Sequence, residues 1–401
     1  VSETAVGIPR YKPFGGPQFF RQGFRPFFLS AGLWAVAGLV VWLAEVQDAI
    51  SIPTAFAPAA WHAHEMIFGF AGAVIAGFLL TAIPNWTGRM PLQGLPLILL
   101  FGAWLVGRAA MATSALIGAG IAAVLDLSFL ALLLAAVLRE ILAGRNWRNL
   151  PMPIALGGLL LSNILTHAEA AGTVTTGALG QRLGISIVIL LISLVGGRII
   201  PSFTRNWLAK RQGASIPGAR MPAGFNGFDR ACLAITMAAL GGWVAAPDAE
   251  VTGVALFVAG LATLVRLARW CGHRTLREPL VWSLHLGFAW VPLGLCLLGL
   301  GEFLPELISP MSGLHALTAG AIGSMTLAVM TRATLGHTGR PLAADGWTAA
   351  IYVLIAMAAA SRVAASLLPD AYGPLIWISA LAWIATFSLF TLRFGRILIA
   401  R

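Results

Sequence analysis

A chain of 401 residues that is 58% hydrophobic and only 10% charged, with a mean hydropathy of +0.85, cannot cover a water-facing surface, since soluble domains carry about 25% charged residues. The formal net charge of +11 suggests nucleic acid, but the basic residues fall between apolar runs, which is the pattern of membrane topology and excludes that partner. The runs are continuous and not alternating, which sets aside a transmembrane barrel and leaves an all-α integral membrane protein.

Residues 1–25 read as an N-terminal cytoplasmic or interfacial segment. Val1 to Gln22 is too polar and aromatic for the apolar stretch of a cleaved signal peptide. Residues 26–401 read as a single polytopic domain. A crossing needs about 20 apolar residues, and about twelve such stretches follow: 26–45, 59–83, 94–111, 116–138, 151–171, 180–203, 229–246, 251–270, 280–300, 312–334, 347–368 and 372–394. With the N-terminus in the cytoplasm, alternation gathers Arg89, Arg139, Arg205, Arg274, Arg340 and Arg396 on the inner side. Glu45, Asp48, Glu169, Asp248, Glu302 and Asp370 fall on the outer side, where Arg182 is the clear basic exception. This sorting follows the positive-inside rule and places both termini in the cytoplasm.

Three four-helix repeats are expected, over 26–145, 146–275 and 276–401. Pro84 corresponds to Pro201, Thr204 to Thr338, Pro151 to Pro279 and Arg108 to Arg362. Such repeats are common in membrane proteins and speak to architecture more than to activity. The three cysteines, Cys232, Cys271 and Cys296, show no disulfide, metal-finger or c-type haem attachment spacing.

The chemistry lies in the histidines. By depth, His62 and His64 in span 2, His167 at the end of span 5 beside Asn163, and His315 at the start of span 10 share an outer layer. His285 and His337 lie toward the inner side, and His273 falls in a basic loop. One intramembrane histidine is usually a helix–helix hydrogen-bonding group, but four near one depth ask for more, because ionisable groups there are costly. Neutral imidazole ligates copper, iron and zinc and serves as an axial haem ligand.

Successive helical residues turn by about 100°, so His62 and His64 point to opposite sides of span 2, with Glu65 expected on the side of His62. An H-x-H of this kind can serve two cofactors, one per face. Along span 10, His315, Thr318, Ile322, Thr326 and His337 form a stripe, or else ordinary Ser/Thr helix packing. Arg108, Arg198 and Arg362 each suit a haem propionate or other anion, or a structural partner such as Glu65, Asp126 or a carbonyl. Asp126 and Glu65 are proton-relay candidates, Asp126 alternatively a salt-bridge partner.

The strings "FRPFF", "WHAHEMIFGFAGAVIAGFLLTAIPNWTGR", "GGRIIPSFTRNWL", "LVWSLHLGFAW" and "LHALTAGAIGSMTLAVMTRATLGHTGRPL" resemble the NnrS family, in order, from about residue 20 to the last span. The resemblance implies a multi-pass protein of the bacterial inner membrane that contains haem, b-type in expectation, and copper. It also implies a link to nitric oxide metabolism and nitrosative stress. The ligand candidates carried over by position are His62, His64, His167, His285, His315 and His337, with Met330 as a weaker one. A haem and copper pair is expected on His62, His64, His315 and His167, and a second, inner site on His285 and His337. The expected activity resembles a nitric oxide reductase fed by a quinol or a cytochrome. The alternatives are a transporter of a metal ion or small anion, and a non-catalytic haem or nitric oxide binding protein.

Overall fold

A computed structural model describes residues 14–212 and 221–400, and among these residues there is helix but no strand. Twelve helices are long and apolar enough to cross a bilayer, as expected. In chain order they are α1 (Phe24–Val46), α2 (Pro58–Thr87), α3 (Leu95–Ala112), α4 (Ala119–Ala143), α5 (Trp147–Ala170) and α6 (Leu179–Lys210). Then follow α7 (Gly227–Ala245), α8 (Glu250–Arg274), α9 (Pro279–Phe303), α10 (Pro310–His337), α11 (Gly346–Leu367) and α12 (Pro369–Ile399). Pro58, Pro279 and Pro310 open α2, α9 and α10, at a position whose N–H would be unbonded in any case.

The centre of the bundle is built from α2 (72% buried), α10 (67%) and α9 (61%), whereas α4, α7 and α12 (33% each) present most of their surface outward. Leucines and valines such as Val124 and Leu392 stand 70% and 77% exposed there, a surface tolerable only in lipid. The first and last helices pack together. Arg25 on α1 donates from Nη1 to the carbonyls of Ile397, Leu398 and Ala400 at 3.2, 3.1 and 2.7 Å. It thereby satisfies carbonyls at the end of α12 that have no partner within the helix.

Neither α2 nor α10 is a regular helix. Each begins α-helical, widens into a π-helical stretch at Glu65–Ala71 and Ala316–Ile322, and then resumes as α. Wide turns of this kind re-aim the side chains around them and recur at functional sites. Each holds a glycine that a large side chain presses against. A Cβ on Gly69 would lie 2.7 Å from Arg108 Nη1 and 2.8 Å from Trp34 Nε1, and one on Gly320 would lie 2.6 Å from the Trp290 ring. One constant shift carries His64 onto His315, Gly69 onto Gly320, Gly72 onto Gly323, Thr87 onto Thr338, Gly88 onto Gly339 and Arg89 onto Arg340. The wide turn interrupts the regular stripe expected along α10. Its threonines close onto their own helix: Thr318 donates to Leu314 O at 2.8 Å and Thr326 to Ile322 O at 2.7 Å.

α11 is started by Asp345, whose carboxylate accepts from the Thr348 N–H (2.9 Å) and hydroxyl (2.6 Å) and from Arg393 on α12 (2.8 Å). Partial burial disfavours its charge, but these donors prevail and hold it down to about 2. Because the folded value lies below that of a free carboxylate, its stabilisation is present above about pH 4 and is lost as pH falls toward the folded value. Asp345→Ala is therefore expected to cost about 1 kcal/mol near neutral pH. The gap between the variant and the parent should close in acid, read as thermal midpoints in detergent across pH.

A candidate cofactor-binding centre

Two polar sites meet at the start of α2, one on each face. His64, fully buried, points toward α4 and α5. Its Nε2 lies 2.9 Å from Asn163 Oδ1 and 3.1 Å from Asp126 Oδ2. His167 Nε2 also reaches Asp126 Oδ2, at 3.1 Å, and Asn163 Nδ2 donates to the same oxygen at 2.7 Å. On the other side of the ring, His64 Nδ1 meets Glu65 Oε1 at 3.0 Å. Arg108 from α3 closes the group, donating to Glu65 Oε2 at 2.7 Å and ion-pairing with Asp126 Oδ1. Glu65 thus serves His64 and Arg108, not His62 as regular helical spacing suggests, because the widened turn begins at Glu65 and the guanidinium draws its carboxylate that way.

Phe56 covers this site, with its ring 5.5 Å from His64 and 5.4 Å from His167. The loop carrying Phe56 is pinned to Ser114, whose Oγ accepts from the Ala55 N–H at 2.8 Å. The residues that matter are nearly all inaccessible, with Glu65 and His64 at 0% and Asp126 at 1% exposed. With neutral imidazoles the two carboxylates outnumber the single guanidinium by one charge. A buried imbalance of that kind is costly, and one further cation would remove it. His64, Asp126 and His167 each offer a donor atom, all within 4.8 Å of one another, a grouping that could hold a metal ion.

His62 faces the other way. Its ring stacks on Trp42 of α1 at 4.3 Å and 27°, and its Nδ1 is buried without a hydrogen-bond partner. His315 at the start of α10 engages the Met311 carbonyl through Nδ1 at 2.8 Å. That tautomer leaves Nε2 with an open lone pair, the usual preparation of a ligating histidine. His62, His315 and Arg362 lie close enough to act on one another electrostatically.

The remaining candidates are placed apart. His285 Nε2 lies 2.8 Å from the Thr204 hydroxyl, which itself donates to Ile200 O. The imidazole therefore donates from Nε2, and its Nδ1 is buried and unpartnered. His337 is exposed at the other end of α10, against Phe24 at 5.7 Å. No hydrogen bond or ring contact joins His285 to His337 among the described residues. Met330 is fully buried in apolar packing. Arg198 lies 5.9 Å over the Phe225 ring and makes no ion pair among the described residues.

A model of the family described as NnrS protein matches residues 18–401, nearly the whole chain. The chain belongs to the NnrS family. A search of curated proteins returns no match. NnrS membership associates the chain with haem- and copper-containing membrane proteins of nitric oxide metabolism, which agrees with the buried histidine sites. The residues present fit both groups. A nitrogen-and-oxygen donor set of two imidazoles and a carboxylate suits copper. His64, which would be one of its ligands, has the outer carboxylate contact, with Glu65, that orients such ligands. The open nitrogens of His62 and His315 suit an axial position on haem iron. Trp42, Phe56 and Asn163 complete these sites, and sequence periodicity gave Trp42 and Phe56 no special place. The paired glycines, Gly69 with Gly72 and Gly320 with Gly323, were the readable sign of unusual helix packing.

Proposed function

We propose that this NnrS protein reduces nitric oxide to nitrous oxide at the cytoplasmic membrane of a bacterium and so relieves nitrosative stress. Two NO, two electrons and two protons give N₂O and H₂O. The electrons come from a quinol or a cytochrome. The histidine end of the bundle faces outward in this reading and both termini face the cytoplasm, in line with the sorting of basic and acidic loops. The observation that carries the reading is the division of His62 and His64 onto opposite faces of α2. One histidine is closed around a carboxylate, and the other has a buried ring nitrogen with no partner.

In this assignment His64, His167 and Asp126 hold copper, and His62 and His315 hold a b-type haem. The two groups supply metal centres that bind NO and pass electrons. The protein supplies the rest. Phe56 and the fixed loop beneath it keep bulk water from the copper-side donors, which strengthens every charge interaction inside. Arg108 holds Glu65 and Asp126 in place through separate nitrogens. Glu65, next to His64 Nδ1, is the group positioned to pass a proton inward, and Asn163 keeps Asp126 Oδ2 oriented toward both imidazoles.

The test is purified, metal-replete protein with an electron donor. Haem is read from the Soret band, copper by elemental analysis, and N₂O released against NO consumed. One N₂O per two NO is expected. NO bound without N₂O would make this a binding protein, and ion flux into proteoliposomes without redox change would make it a transporter. Absence of both the Soret band and copper would end the reading altogether.

A further inference from the structure

The pairing of α2–α3 with α10–α11 exposes an asymmetry. In the first pair, Arg108 is neutralised by two carboxylates of the protein, Glu65 and Asp126. Its counterpart Arg362, on the helix packed against the start of α10, acts electrostatically on His62 and His315, the second histidine site. The shift that carries His64 onto His315 puts Ala316 where Glu65 stands, and neither α10 nor α11 contains an acidic residue. The only acidic residue of α12 is Asp370, in its first turn. No carboxylate forms an ion pair with Arg362 among the described residues.

Arg362 is only partly accessible, and it spends one nitrogen on Ser366, donating from Nη1 to Oγ at 2.9 Å. The His62 site on which it acts electrostatically has a donor and a ring nitrogen with nothing to bond. Trp42 Nε1, on the indole stacked against His62, is buried and unpartnered, as is His62 Nδ1. A guanidinium in a low-dielectric bundle without a counter-charge is costly. The fork it leaves open matches two coplanar oxygens on one anion.

We propose that Arg362 is an anion-binding subsite for a ligand with paired oxygens at the His62 and His315 end of the bundle, filling the place that Glu65 and Asp126 fill in the related half. Two sources share this chemistry: a propionate of haem held at His62 and His315, or a free planar nitrogen oxyanion such as nitrite. The propionate source rests on the function proposed above, and the free anion does not.

The experiment compares the full-length protein with Arg362→Gln and Arg362→Lys, which keep a long polar side chain. Nitrite is titrated against tryptophan fluorescence, and haem is followed as its ratio to protein and as its rate of transfer to apomyoglobin. A free-anion site predicts saturable quenching in the parent, weakened about tenfold or more in Arg362→Gln and less in Arg362→Lys, with haem unchanged. A propionate site predicts no nitrite effect and haem release accelerated about tenfold or more, again graded between the two variants. Where Arg362→Gln does not accumulate, Arg362→Lys decides alone. Variants that match the parent in both readouts overturn the subsite. If the parent holds neither haem nor copper, the proposed function fails, while the nitrite titration still decides the subsite: quenching lost in the variants sustains it, and no quenching in the parent overturns it.

Discussion

Arg108→Met is expected to be among the most damaging single substitutions in the chain. It strands the carboxylates of Glu65 and Asp126 at 0% and 1% exposure, with only imidazoles and an amide to face them. Removing one partner from a buried ion pair costs about 3–5 kcal/mol, against a total of about 5–15 kcal/mol for a typical fold. The variant should show a steep loss of yield and of thermal midpoint in detergent. Adding Asp126→Asn should recover part of that loss, because the second change removes one of the stranded charges, and a double-mutant cycle would measure the coupling. A melting point for Arg108→Met indistinguishable from the parent's would show that the network is not an ion-paired frame. Arg362→Gln strands no carboxylate and should leave the midpoint nearly unchanged, so the two arginines separate the two halves of the bundle.

The second large effect concerns the metals. On the proposed assignment, His64→Ala and His167→Ala should each abolish copper binding while the Soret band survives, and His62→Ala should do the reverse. Glu65→Gln keeps the shape of the side chain but weakens its hold on His64 Nδ1, so copper affinity should fall about 10–100-fold. Copper per protein by elemental analysis, with the optical spectrum of the same sample, reads both arms at once. Full copper retained in His64→Ala and His167→Ala together would remove that site from consideration.

Much of this was legible in the chain. Hydropathy placed all twelve crossings because each run must bury its own backbone bonds in lipid. Alternation then put His62, His64, His167 and His315 at one end. The divergence of His62 from His64 followed from the helical period, since the stretch Pro58–His64 is regular. What failed was local. Glu65 was placed with His62 because the wide turn starting at that residue leaves no mark in a periodicity count. The stripe along α10 failed for the same reason at Ala316–Ile322. Arg108 and Arg362 looked alike because each is one arginine in an apolar helix, and only the spatial neighbours tell a neutralised cation from one without a carboxylate. The arrangement into three repeats remains our proposal. The relation of α2–α3 to α10–α11 is its clearest part.

The clasp between Arg25 and the final carbonyls has a temporal meaning. A ribosome delivers α1 well before α12, so the seam joining them is sealed only once the ten crossings between them have been made. Trp42, which backs His62, sits on the helix that waits. The wall of that chamber is thus finished only after α12 has emerged, and on the proposed assignment a haem seated against it would be a late guest and not a scaffold for the nascent chain.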